Sequence, residues 1–116
     1  MSMRLVVLES PYAGEVERNV EYARRAVKDC LDRGEAPIAS HLLFTQPGIL
    51  NDAVIEERQL GIEAGLAWLA KAHAMVIYLD YGMSKGMEHA AQRASGFDIP
   101  ILYRSIGQNP VDGESK

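Results

Sequence analysis

An α/β fold with a parallel, helix-covered sheet is predicted by three features of the sequence. Short apolar runs, above all Arg4-Leu5-Val6-Val7-Leu8 and Ala74-Met75-Val76-Ile77-Tyr78, have the unbroken hydrophobicity of strands buried on both faces. They alternate with longer segments whose apolar residues recur every three or four positions, as on one side of a helix. The connections are short and punctuated by Gly and Pro. The order β-α-β-α-β-α-β is the pattern from which parallel sheets are built. The expected architecture is a flavodoxin-like (Rossmann-like) sheet of four to five strands, order 2-1-3-4, with helices on both faces.

The elements follow in order. The first strand stops at Glu9-Ser10-Pro11-Tyr12-Ala13-Gly14, a loop marked by Pro11 and Gly14. From Glu15 to Arg33, Val16, Val20, Ala23, Val27, Cys30 and Leu31 fall at helical steps, and Gly34 suits the position just past the helix end. Ala36-Pro37-Ile38-Ala39 is a short second strand, weakened by Pro37. Ser40 to Gly48 is less regular and is expected to be a long loop or lid. A second helix is predicted from Ile55 to Ala72, a third strand over 74–79, a third helix from Ser84 to Ser95 and a last strand from Ile99 to Tyr103. Residues 1–107 then form one domain. The polar segment 108–116 is expected to be a tail, disordered in isolation or docked on a partner.

Composition narrows the function classes. A chain of 116 residues can build one substantial core. A formal charge of −4 argues against a general surface for polymeric nucleic acid. It leaves room for a small anion held by two or three local cations. No apolar run approaches a membrane span, and Met1 to Leu8 is too short for a secretory signal. Cys30 is the only cysteine, so no intrachain disulfide framework or cysteine-based zinc site is expected. A reducing cytoplasm fits, with Cys30 a small core residue. His41, His73 and His89 share no metal-ligand spacing, and no Walker loop, G-x-G-x-x-G or nucleophile elbow occurs. Neither a metal nor a cofactor is expected.

In a doubly wound sheet, ligands bind beyond the carboxyl ends of the strands where the strand order reverses. Here that point lies between strands one and three, so the loops Glu9–Gly14 and Asp80–Glu88 should meet. Ser84 is a candidate N-cap, and Glu88 follows in the first turn, where the helix dipole favours an anion. That placement suits a carboxylate nucleophile and equally a Glu that only complements the dipole. Asp80 ends the third strand, either as a catalytic carboxylate or as a turn residue bonded to backbone N–H. Tyr12 could position a carboxylate or stack on a base, or pack on the core edge. Ser10 and Ser84 offer hydroxyls to sugar or phosphate. Arg18, near Asn19, is a candidate phosphate contact. Gly61 and Gly65 flank Glu63 inside the second helix, where glycine costs up to about 1 kcal/mol. They imply a close backbone approach, to the sheet or to a helix of this or another subunit, with Glu63 turned towards a cleft or towards solvent.

Two segments carry a resemblance. Leu8-Glu9-Ser10-Pro11-Tyr12 resembles the first strand-loop of nucleoside 2-deoxyribosyltransferases and related nucleotide N-glycoside hydrolases. Gly82-Met83-Ser84-Lys85-Gly86-Met87-Glu88 resembles their Gly-rich loop and ends on their catalytic Glu. The resemblance implies that Glu88 attacks the anomeric carbon of a nucleoside or nucleotide, with Tyr12 and Asp80 assisting. It implies binding of substrate by Ser10, Pro11, Gly14, His41, Glu63, Ser84, Gly86 and Met87, and assembly as a homodimer or larger. Where family members carry an Asp late in the second helix, this chain has Gly65-Leu66-Ala67-Trp68, with Glu63 the nearest acid. That departure leaves two rivals to the enzyme: a non-catalytic nucleotide-binding homo-oligomer, and a structural homo-oligomer with a vestigial cleft.

Overall fold

A computed structural model describes residues 2–106. The expected tail, 108–116, lies outside the described residues. Four strands, β1 (Arg4–Glu9), β2 (Glu35–Ile38), β3 (Ala74–Tyr78) and β4 (Ile101–Arg104), pair in the order β2-β1-β3-β4, all parallel. This is the expected fold and strand order. β1 and β3 are central, and their side chains alternate between two cores. Val6, Leu8, Val76 and Tyr78 pack against Tyr22, Ala26 and Cys30 of α1 (Val16–Asp32). Val7, Met75 and Ile77 pack against Leu66 of α3 (Ile55–Ala67), Leu69 of the 3-10 turn that follows it, and Met87, Ala90 and Ala94 of α4 (Lys85–Ser95).

Local chemistry explains most boundaries. Gly34 ends α1 with φ +82°, a left-handed conformation that a side chain would strain. Pro37 is tolerated because β2 is an edge strand. Three expectations change. The segment after β2 is not all loop: Ser40–Leu43 forms a short helix, α2. The second helix stops at Ala67 and tightens into the 3-10 turn Trp68–Ala70. The last strand begins at Ile101 rather than Ile99, because Pro100 has no N–H to donate and uses its carbonyl to accept from Met75 instead.

The glycines of α3 are explained within the chain. A Cβ at Gly65 would collide with the Oγ of Ser40 and stand 2.6 Å from its Cβ. A Cβ at Gly61 would press on Leu50 at 3.2 Å. The close approach of these glycines is therefore to Ser40 of α2 and to Leu50 of the connection that follows it.

A buried ion pair ties the sheet edges together. Arg104 at the end of β4 donates from both terminal nitrogens to Glu35 at the start of β2, at 2.7 and 2.6 Å. Both side chains are about a tenth exposed or less. The hydrogen bonds from Arg104 hold the Glu35 carboxyl below its usual range despite burial. Tyr78, bonded to Asp29, and the thiol of Cys30 complete the cluster, and burial pushes that thiol up to about 11.

Two predictions follow from these contacts. Gly65→Ala should destabilise the protein by about 1–3 kcal/mol through overpacking, and Ser40→Gly in the same chain should recover part of that loss; urea denaturation measures both. Arg104→Met should cost about 3–5 kcal/mol at pH 7, because it leaves a buried carboxylate unpaired. Glu35 has a lowered pKa, so its stabilisation is present above the unfolded value and lost as pH falls through the folded one. The gap between wild type and Arg104→Met should therefore narrow below about pH 4.

Candidate functional site

A cavity of about 320 Å³ opens at the carboxyl end of β1, on the face covered by α3 and α4. Its size suits a small organic ligand. Glu9, Ser10 and Tyr12 supply one wall, Ser40 and His41 of α2 another. Glu57, Arg58, Gly61, Ile62 and Leu66 line the α3 side, while Ser84, Lys85, Gly86, Met87, His89 and Ala90 come from the start of α4. Phe44, Thr45, Leu50 and Asp52 of the α2–α3 connection close the rim.

Strand alternation decides what enters it. Glu9 lies two residues beyond Val7 and shares its face, so its carboxyl meets the cavity. Its surface is partly exposed there, yet protein surrounds it closely. Desolvation pushes the carboxyl up to about 8, so it is mostly protonated at neutral pH. Ser10 is buried and its hydroxyl bonds Nε2 of His41 at 2.7 Å. Burial lowers the imidazole to about 4 and keeps it neutral; its Nδ1 is buried without a hydrogen-bond partner. Buried Asn19 fixes the loop above, donating to the carbonyls of Tyr12 at 2.9 Å and Ala13 at 3.2 Å. On the opposite wall Ser84 caps α4: its Oγ accepts from the Met87 N–H at 3.2 Å, and its own N–H reaches the Met87 sulfur at 3.4 Å.

Of the residues singled out from sequence, Ser10, Tyr12, His41, Ser84, Gly86 and Met87 converge on this cavity. The others lie elsewhere. Gly14 borders a shallower hollow next to it, under residues 45–53. Pro11 is buried in the same loop but does not line the cavity. Asp80 falls on the Tyr78 side of β3. It accepts from the Tyr22 hydroxyl and from the Ile106 N–H at 2.9 Å, in a contact that braces α1 against the chain after β4. Arg18 stacks 4.1 Å over the Tyr81 ring. Glu63 sits on the surface, paired with Arg93 at 3.4 Å. Glu88 is exposed and outside the lining. The reason is helical phase. Met87, Ala90 and Ala94 turn α4 onto the core, and at about 100° per residue Glu88 falls on the flank beside that stripe.

Sequence reasoning missed Glu9, Asp52, Glu57, Arg58 and His89 as cavity residues. Glu9 was readable from the alternation of β1. Glu57, Arg58, Gly61 and Ile62 follow helical spacing, but only the fold shows that this side of α3 meets a cavity.

The model of a domain family of unknown function, DUF7768, matches residues 4–104. The chain belongs to the DUF7768 family. No curated protein sequence matches it. Among solved structures, the DUF7768 chain resembles a 2-deoxyribosyltransferase from the psychrotolerant bacterium Bacillus psychrosaccharolyticus. The TM-score is 0.61 at 15% identity, over 93% of this chain and 77% of that one. That enzyme is described as a biocatalyst for nucleoside synthesis. At this identity the likeness establishes a shared fold, the one the motif resemblance implied. Among the described residues of this DUF7768 chain, no helix is long and apolar enough to cross a membrane, and no cluster of three metal-ligating side chains occurs.

The carboxyl of Glu9 gives a stability prediction. Its folded pKa is raised, so the folded state binds the extra proton between about pH 4.5 and 8, and stability falls as pH rises through that window. Glu9→Gln removes this slope. Denaturation midpoints from pH 5 to 9 should decline more steeply for wild type than for the variant, and the variant should be the more stable at pH 9.

Proposed function

We propose that this cleft binds a nucleoside or nucleotide and that the chain cleaves or transfers its N-glycosidic bond. The observation that carries this reading is the meeting of the two motif loops. Ser10 and Tyr12 from the end of β1 face Ser84, Gly86 and Met87 from the start of α4 across one cavity of fitting size, on the fold of a nucleoside deoxyribosyltransferase. Tyr12 and Phe44 offer aromatic surface to a base. Ser10 and Ser84 offer hydroxyls to sugar or phosphate, and Arg58 and Lys85 are the cationic side chains of the lining.

The motif implies a covalent sugar intermediate on Glu88. The outward position of that residue supports a route in which water or an acceptor base adds directly to the anomeric carbon. The same position is the observation favouring the second reading, a nucleotide-binding module without turnover. Assembly as a homodimer or larger belongs to both readings. The exposed Ile55, Leu60 and Trp68 around α3 are consistent with it, and light scattering at micromolar concentration tests it.

Incubation with deoxynucleosides and their monophosphates, followed by chromatography, should detect free base. Binding without any base release supports the module instead. Glu88→Gln should change the release rate by less than about threefold. A loss of orders of magnitude, with a sugar adduct trapped on Glu88 by a 2-fluoro nucleoside, would restore the covalent route.

A further inference from the structure

Resting on the reading just given, we propose that Glu9 is the group that meets the nucleobase, donating its carboxyl proton to a ring nitrogen as the base departs. Three observations carry this. The carboxyl lines the cavity at the end of the central strand. Among the described residues it makes no hydrogen bond and no ion pair, whereas the neighbouring Ser10 hydroxyl is bonded to Nε2 of His41 and the Ser84 hydroxyl to the Met87 N–H. It is held on the apolar side of the sheet, in line with Val7 and close to Leu66 and Met87. A carboxyl closely enclosed by protein, without a partner and open towards a ligand space, has a strong preference for its neutral form. Such a group is a hydrogen-bond donor at neutral pH, a role that an ionised carboxylate cannot fill. The titration state supports it, with the pKa raised to about 8 by desolvation.

The chemistry balances without a cofactor. The bond between the anomeric carbon and the base nitrogen breaks, and its electron pair goes to the base. The Glu9 O–H gives its proton to a ring nitrogen, so the base leaves neutral and Glu9 is left as carboxylate. Water adds to the anomeric carbon, and the proton it loses restores the Glu9 carboxyl. A neutral carboxyl can also accept from an amino group beside that ring nitrogen. It therefore favours bases that place an unprotonated ring nitrogen next to an exocyclic amine, as adenine and cytosine do, over uracil, thymine and hypoxanthine, which carry no amine.

The other titratable groups facing the cavity are Tyr12 from the loop after β1, His41 from α2, Asp52 from the rim, Glu57 and Arg58 from α3, and Lys85 and His89 from α4. None bonds to Glu9, and His41 is already neutral at neutral pH. The alkaline limb of the rate profile is assigned to Glu9, and its loss in Glu9→Gln separates it from the other groups of the lining.

The test compares wild type with Glu9→Gln, a neutral isostere that keeps the cavity filled, after circular dichroism has shown both folded. Base release is followed from pH 6 to 9.5 on the substrate that wild type cleaves best, and on N7-methyl-2-deoxyguanosine, whose cationic base leaves without an added proton. Wild type should lose activity above about pH 8, and Glu9→Gln should be slower by about 100-fold or more at pH 7 with that limb gone. Any cleavage of the N7-methylated nucleoside should differ between the two proteins by less than about tenfold. A variant that keeps the wild-type rate, keeps the alkaline limb, or loses equally on both nucleosides overturns the role of Glu9 and leaves the N-glycoside reading standing. A wild type that releases no base from any substrate overturns that reading, and the proton donor with it.

Discussion

The structure depends on one constraint: β1 and β3 are central strands of a parallel sheet and must be covered on both faces. Each residue along them is committed to one of two cores, and the commitment alternates. Val6 and Leu8 go to α1, while Val7 goes to α3 and α4. The alternation holds to Glu9, the last residue of β1, and continues for two residues beyond β3 to Asp80. Glu9 emerges under α3 and α4, in the cavity. Asp80 emerges on the side of α1 and is taken up by Tyr22. Two acids at equivalent strand ends thus receive different work, and their environments follow from parity alone.

The charged groups separate into a half bonded around α1 and a half that faces the cavity. On the α1 side, Arg104, Glu35, Asp29 and Asp80 are bonded to one another or to Tyr78 and Tyr22. Charges buried there are matched, as the cost of isolated burial requires. On the α3 and α4 side, polar groups around the cavity are bonded only where they shape its walls, as Ser10 with His41 and Ser84 with Met87. Glu9 is left without a partner. Of the side-chain atoms that are fully buried among the described residues, Nδ1 of His41 on the same cavity wall is the one without a partner.

The sequence indicated which two loops meet, and said less about which of their residues line the cavity between them. The strand-loop ending in Tyr12 and the loop capped by Ser84 do face each other, because strand order fixes which loops meet. Glu88 illustrates where reading by motif stops. Its place in the motif is legible from the chain, but its exposure beside the buried Met87, outside the cavity lining, is set by how α4 packs. Glu63 is similar: the glycines beside it face Ser40 and Leu50, and the acid itself points to Arg93.

By itself the sequence determined the element order, the parallel sheet, the central place of the first and third strands, and the cap that starts α4. These depend on local periodicity and on residues within a few positions of one another. The tertiary structure alone decided that residues 40–43 coil into a helix against Gly65, that β2 and β4 are joined through Glu35 and Arg104, and which side chains share the cavity with Glu9. Those outcomes depend on contacts between residues far apart in the chain, such as the 69 positions from Glu35 to Arg104. No local pattern encodes them, because each partner's surroundings exist only once the sheet has closed between them.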